Sequence, residues 1–243
     1  MNYTSIHNDK IKEISKLKDK KYRDKKGLFL IEGEHLILEA QKHGYLKEVF
    51  VQEEPSISLT VPVSYVNQTV MKFISQLDTP PQIIGICSIP NNGKLGQKIV
   101  ILENVQDPGN IGTILRSAVA FHADTIVLTE GCADVYGPKV ARASQGMLFS
   151  ISIMKDSLMD IVPQIREKQI PIYATKVNGG KEIKDIEKNK NFAIIMGNEG
   201  NGVSREALEA SDAYLYIAMN PLCESLNVGV ATSIILYEWD KGC

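Results

Sequence analysis

The chain has 243 residues, 44% hydrophobic and 23% charged, with a formal net charge of −2 at pH 7, which fits a globular chain of one large or two modest domains. No apolar run approaches the roughly 18 residues needed to span a bilayer, and Met1–Ser5 lacks an apolar signal core, so a membrane-spanning class is excluded and a soluble, cytoplasmic protein is expected. Cys87, Cys132, Cys223 and Cys243 form no C-x-x-C pair and stand at no zinc-type spacing with His, so reduced thiols and no metal are expected. The small net charge hides an asymmetry: residues 1–30 hold nine Lys or Arg against four Asp or Glu, a surplus of five, so the remainder carries −7. A basic N-terminal segment on a mildly acidic body points to contact with a polyanion; the plain alternative is a solvated amphipathic helix.

From Asp9 to Lys26 the spacing of Ile11, Ile14 and Leu17 predicts an amphipathic helix ending in the basic run Lys20-Lys21-Tyr22-Arg23. Leu28–Ile31 reads as a strand, and Glu32–His35 opens a helix that stops at His43-Gly44, where Gly supplies the C-cap. Strands follow at 49–51, 61–66 and 83–87, with a helix near 67–77, giving a small α/β unit over residues 1–90. Pro90–Gly96 is turn-rich, and 91–97 reads as a linker. Over 98–243 the strands become continuous apolar runs, at 99–102, 125–128, 172–174, 192–196 and 214–217, alternating with helical patterns at 110–121, 138–147, 157–168, 204–210 and 225–239. Runs buried on both faces and alternating with helices predict a mostly parallel sheet flanked by helices.

In such sheets ligands bind beyond the carboxyl ends of the strands. Three of these junctions are unusual. Asn104–Ala118 places a polar Asp-Pro-Gly-Asn turn before a helix, with Asn110 as a candidate N-cap and Arg116 off the apolar stripe. Gly197–Ser204 has three glycines that let backbone approach a ligand, and Ser204 can cap the next helix. It lacks G-x-G-x-x-G spacing, so it is no dinucleotide fingerprint. Met219–Val228 turns into a helix that Ser225 can cap, with Asn227 in its first turn; Gly229, Ala231 and Ser233 then allow close approach of another backbone. Each junction alone is an ordinary turn, and the three together point to a pocket.

Asn104–Ala118, Ile195–Ser204 and Ile217–Tyr237 resemble the three motifs of the SpoU-type (TrmH-like) RNA ribose 2′-O-methyltransferases of the SPOUT superfamily, in the family's order and spacing. Phe29–Gly33 and Thr79–Gln82 resemble the family's smaller RNA-binding domain, similar in fold to certain ribosomal proteins. The resemblance implies an α/β protein with a C-terminal trefoil knot, S-adenosylmethionine as methyl donor (S-adenosylhomocysteine as product), and a homodimer. It implies Arg116 as the catalytic arginine. A guanidinium with a pKa above about 12 is no general base, so Arg116 is expected to hold a phosphate and stabilise the developing alkoxide. Asn110 either positions Arg116 and the ribose or caps its helix. Glu199 is expected to bond an amide or Arg116 of the partner subunit, the plain alternative being a solvated carboxylate, and Asn227 to order the loop near the methyl group. Family position assigns the donor to Thr175, Gly197, Ile217, Met219 and Leu226, with the turn at Ser225 able to take a carboxylate. The connecting segment Val135–Gly146 supplies Lys139, Arg142 and Ser144 toward RNA, with Gln145 near the cleft, alongside Lys20, Lys21 and Arg23 from the N-terminal run.

The expected function is methyl transfer to a ribose 2′-hydroxyl of RNA, with large-subunit (23S) ribosomal RNA favoured because the accessory domain resembles that of the family's ribosomal members. The alternatives are transfer RNA as substrate, or a catalytically silent RNA-binding or ribosome-assembly factor. Intact Asn110, Arg116, Glu199 and Asn227 argue against the silent factor, and the missing glycine fingerprint argues against a nucleotide-dependent oxidoreductase.

Overall fold

A computed structural model of the chain describes residues 1–90, 93–177 and 179–241. Asn91 and Asn92 of the expected linker, and Cys243, lie outside the described residues. The chain forms two compact units, Met1–Asn91 with Asp134–Ser150, and Asn92–Ala133 with Ile151–Cys243.

The first unit is built from β1 (Asn2–Tyr3), α1 (Asp9–Lys16), α2 (Lys20–Lys26), β2 (Leu28–Glu32), α3 (Glu34–Lys42), β3 (Leu46–Val51), β4 (Val63–Val66), α4 (Gln68–Ile74) and β5 (Ile83–Ser88). Its sheet runs β1-β4-β3-β5-β2, parallel from β1 to β3 and antiparallel at the two β5 pairings. Period-two alternation sorts the faces. Ile84 and Ile86 of β5 join the Ile11, Ile14 and Leu17 stripe of α1 and Val70, Met71 and Ile74 of α4 in one core. Gly85 faces the other way, where a Cβ would meet Ile31 and Ile37 at 3.2 and 3.3 Å, so α3 lies close over that face.

The second unit begins with β6 (Lys98–Leu102), α5 (Pro108–Ala120) and β7 (Thr125–Leu128); the chain then gives 134–150, with α6 (Pro138–Ala143), to the first unit. It resumes with β8 (Ser152–Lys155), α7 (Leu158–Glu167), β9 (Ile172–Thr175), β10 (Lys181–Glu182), β11 (Phe192–Met196), α8 (Arg205–Glu209), β12 (Ala213–Tyr216) and α9 (Val228–Lys241). The order is β10-β12-β9-β11-β6-β7-β8, with every pairing parallel. Ile99, Val100, Ile101 and Leu102 are all fully buried, as a central strand covered on both faces requires. The adjacent strands β12, β9, β11 and β6 bring the ends at 217, 175, 197 and 103 to one edge of the sheet.

Four expectations need correction. The single helix over 9–26 is two helices. Leu17 closes α1, and the Asp19 side chain accepts from Lys21 N at 2.9 Å to start α2. Arg23 then donates Nη1 to the freed carbonyls of Leu17 and Lys18 at 2.8 and 2.7 Å. Arg23, expected at RNA, is 5% exposed, with Nη2 2.6 Å from Asp134 Oδ2. Residues 134–150, expected within the catalytic half, pack with the first unit: Phe29 stacks near Tyr136 and Phe149 at 5.1 and 6.0 Å, and Tyr45 lies 5.7 Å from Phe149. Ser144 of this segment is fully buried and donates its hydroxyl to Ala141 O at 2.9 Å, so it does not present itself to RNA.

Candidate active site

The second unit assembles the three junctions through side-chain amides. Asp107, not Asn110, caps α5: its Oδ1 accepts from Asn110 N at 2.9 Å, and Pro108 takes the first helical position. The Asn110 side chain is thereby released for long-range bonds. Its Nδ2 donates to Glu199 Oε1 at 3.0 Å, and its Oδ1 accepts from Asn227 Nδ2 at 2.8 Å. Asn227, not Ser225, caps α9, accepting from Gly229 N at 2.9 Å and Val230 N at 3.2 Å. Asn110 thus joins residues from all three motifs.

Glu199 Oε1 also accepts from Asp107 N at 3.2 Å, and Oε2 from Gln106 N at 3.3 Å. Burial alone pushes this carboxyl up; the Asn110 bond and the backbone N–H groups outweigh it and hold the group below its ordinary value. Asn198 Nδ2 donates to Asn104 O at 2.8 Å, a second tie between these loops. The small residues of α9 meet α5: a Cβ on Gly229 would lie 3.2 Å from Thr113 Cβ, and the Ser117 and Ser233 hydroxyls are 2.6 Å apart. Arg116 is exposed on α5 and makes no hydrogen bond or ion pair with a described residue.

A cleft of about 570 Å³ opens at this edge of the sheet, within the size range of small-molecule sites. Thr175, Gly197, Ile217, Met219, Ser225 and Leu226 all line it, as do Glu199 and Asn227. Gly197 has no room for a side chain, since a Cβ would lie 2.2 Å from the Gly202 carbonyl carbon; the loop doubles back through the paired backbones of Asn198 and Gly202. Apolar walls with a few backbone and hydroxyl groups suit a nucleoside. Sequence reading missed Lys176, Leu215 and Ile235 in the lining. Lys176 follows β9 directly and was findable from its place after a strand; Ile235, on the middle of α9, carries no local signal.

The RNA-binding candidates Lys20, Lys21, Lys139 and Arg142 belong to the first unit. Lys20 pairs with Asp24 at 2.9 Å. Among the described residues no three His, Cys, Asp or Glu side chains gather where they could hold a metal ion.

Residues 97–237 match the model of the SpoU rRNA Methylase family, and residues 8–85 match the MRM3-like substrate binding domain. The chain belongs to the SpoU rRNA methylase family. Among relatives of this SpoU-family chain, the Bacillus subtilis (strain 168) protein named 23S rRNA (guanosine(2553)-2′-O)-methyltransferase RlmP is 37% identical over 241 residues, covering 96% of this chain and 97% of that one. An AdoMet-bound rRNA methyltransferase from Sinorhizobium meliloti superposes with a TM-score of 0.87 at 28% identity, covering 99% of this chain and 97% of that one. A crystal structure of an RNA 2′-O ribose methyltransferase gives 0.83 at 29% identity, covering 100% of this chain and 99% of that one.

Proposed function

We propose that this chain transfers a methyl group from S-adenosylmethionine to a ribose 2′-hydroxyl of 23S ribosomal RNA. The observation that carries this reading is the amide relay Asn227–Asn110–Glu199, which joins three motif loops beside the cleft. S-adenosylmethionine, when bound, supplies an electrophilic methyl group. Apolar Ile217, Met219 and Leu226 suit its adenine, and Thr175, Gly197 and Ser225 offer backbone and hydroxyl groups for its polar parts. The chain's own residues then face a weak nucleophile, a ribose hydroxyl, which must be oriented and relieved of its proton. Arg116, unpaired among the described residues, is suited to hold an RNA phosphate and stabilise the developing alkoxide. Asn110, bonded on both sides, fixes the turn from which α5 projects Arg116.

The same reading makes the first unit the RNA-binding domain and the second unit the catalytic domain, knotted at its C-terminal end, with 91–97 the linker read from sequence, of which 92–97 group with the second unit. A homodimer is supported by apolar surface on and just before α9, where Leu222 is 92% exposed and Val230 and Tyr237 are each 46% exposed. Equilibrium sedimentation tests it, a monomer at micromolar concentration being the contrary result. A cytoplasmic location agrees with an rRNA substrate, and no helix of the described residues is long and apolar enough to cross a membrane. The decisive experiment incubates the protein with labelled S-adenosylmethionine and 23S rRNA lacking the modification, and maps 2′-O-methylation first at the guanosine after which the Bacillus subtilis relative is named. Label in that RNA is expected; no transfer to any 23S site would refute the reading.

A further inference from the structure

Among the described residues lining the cleft, Lys176 and Glu199 carry charge. The Glu199 carboxylate is occupied, by the Asn110 side chain and by the N–H groups of Gln106 and Asp107. Lys176 makes no ion pair with a described residue. Its backbone is fixed: Lys176 N donates to Leu215 O at 2.8 Å, where β9 ends beside β12. The chain returns over the same strand at Gly180, where a Cβ would lie 2.5 Å from Tyr214 O, and enters β10, which pairs with Leu215 and Tyr216.

The half-buried Lys176 side chain is held by an aromatic face instead of a carboxylate. Its Nζ lies 4.4 Å from the centroid of the Tyr214 ring. Tyr214 packs against the core cluster that includes Ala174 and Ile195, so the ring is a fixed platform. A ring quadrupole attracts an ammonium without neutralising it, and the N–H donors directed away from the ring remain for a ligand. The charges of the proposed donor decide what such a cation can do. S-adenosylmethionine bears a sulfonium, an α-ammonium and one carboxylate. A fixed positive charge in its cleft repels the first two and attracts the third. Neither of the other two basic side-chain types, Arg and His, occurs in the lining, and Lys176 is its one lysine among the described residues.

We propose that Lys176, held on the Tyr214 ring, takes the carboxylate of the donor's amino-acid end and makes the cleft select ligands that keep that group. This rests on the S-adenosylmethionine reading above. Lys176 is a specificity-determining residue for the donor; Tyr214 is a positioning residue that acts through the ammonium.

The test is calorimetry on the full-length protein with three probes. S-adenosylmethionine has both carboxylate and sulfonium, S-adenosylhomocysteine keeps the carboxylate without the sulfonium charge, and decarboxylated S-adenosylmethionine keeps the sulfonium without the carboxylate. The wild type is expected to bind the decarboxylated donor about tenfold more weakly than S-adenosylmethionine, the size of one charge-assisted hydrogen bond. Lys176→Gln should weaken S-adenosylmethionine and S-adenosylhomocysteine by about tenfold each and leave the decarboxylated donor no weaker, so that discrimination vanishes. Lys176→Arg, which keeps the charge, should restore most of it. Tyr214→Met, which keeps apolar bulk without a ring face, should cut the discrimination by about two- to fivefold, and Tyr214→Phe should retain it. Equal wild-type affinity for the two donors, unchanged S-adenosylmethionine affinity in Lys176→Gln, or an equal loss for both donors overturns the contact. Unchanged donor affinity with a smaller salt slope for RNA binding would assign the ammonium to a phosphate instead. Full discrimination in Tyr214→Met overturns the platform, and if that variant does not fold the Lys176 variants still decide the contact. A wild type that binds none of the probes sinks the S-adenosylmethionine reading and this contact together, whereas donor binding that Lys176→Gln leaves intact sinks the contact alone.

Discussion

Replacing Glu199 by Gln isolates what the carboxylate contributes as an acceptor. Its Oε1 receives Asp107 N and Asn110 Nδ2 at 3.2 and 3.0 Å, and its Oε2 receives Gln106 N and, more weakly, Asn198 Nδ2 at 3.3 and 3.4 Å. Gln has one oxygen. Whichever way the amide turns, its NH₂ faces two N–H donors and those contacts are lost. Hydrogen bonds to charged groups are worth about 1.5–3 kcal/mol when short and sheltered. These two are long and Glu199 is exposed, so solvent screening reduces the expected loss to about 1 kcal/mol, or roughly 2–4 °C in Tm for a domain of this size. The sign with pH follows from the lowered carboxyl pKa. The stabilisation is full above the unfolded value of about 4.3 and disappears as pH falls through the lower folded value. Urea titrations of both proteins should therefore differ by about 1 kcal/mol at pH 7 and converge below about pH 4. Equal stability at pH 7, or a gap that widens in acid, would show that Glu199 is not held by these donors.

Three further substitutions probe other parts of the site. Arg116→Ala should lower kcat by about 10²–10³-fold, the usual loss of one transition-state donor, while calorimetry finds unchanged S-adenosylmethionine affinity; near wild-type turnover removes Arg116 from the chemistry. Gly197→Ala puts a methyl group 2.2–2.3 Å from the backbone of Gly202 and Val203, so the loop must open and donor binding should fall at least tenfold; wild-type affinity would mean this loop does not hold the donor. Trp239 is fully buried, donates Nε1 to Asn189 O at 2.9 Å, and packs on Tyr173 and Phe192 at 4.8 and 5.1 Å. Trp239→Ala should destabilise the second unit by about 3–5 kcal/mol, and a loss under about 1 kcal/mol in denaturant melts would show that α9 docks without it.

Central strands were readable from sequence because burial on both faces leaves an unbroken apolar run, as at Ile99–Leu102 and Phe192–Met196. The edge strands of the second unit's sheet were not. β8, Ser152–Lys155, alternates buried and open positions at the margin of the sheet, and β10 has two residues. The caps slipped because several polar residues stand near each helix start and only geometry chooses among them; Pro108 was the local clue favouring Asp107. Arg23 illustrates a deeper limit. A run of four residues with three cations reads as a solvent face, yet its third cation is drawn inward by Asp134, 111 residues away. Segment 134–150 likewise shows its aromatics, Tyr136 and Phe149, but contiguous sequence does not say which core receives them. All six residues assigned to the donor do line one cleft, because strand ends in a parallel sheet converge whatever the loops between them.

The relay through Asn110 has a kinetic corollary. Its Asn227 link closes a loop of 117 residues, whereas the strand pairs beside it close shorter ones, 26 residues for β6 with β7 and 94 for β6 with β11. Closure entropy rises with separation, and contacts of this range form late. The sheet can therefore gather while the relay is still open, and Asn227 closes it only when α9 docks. On the function proposed above, catalytic competence follows closure of the relay, so a folding intermediate with most of its secondary structure is expected to be inert.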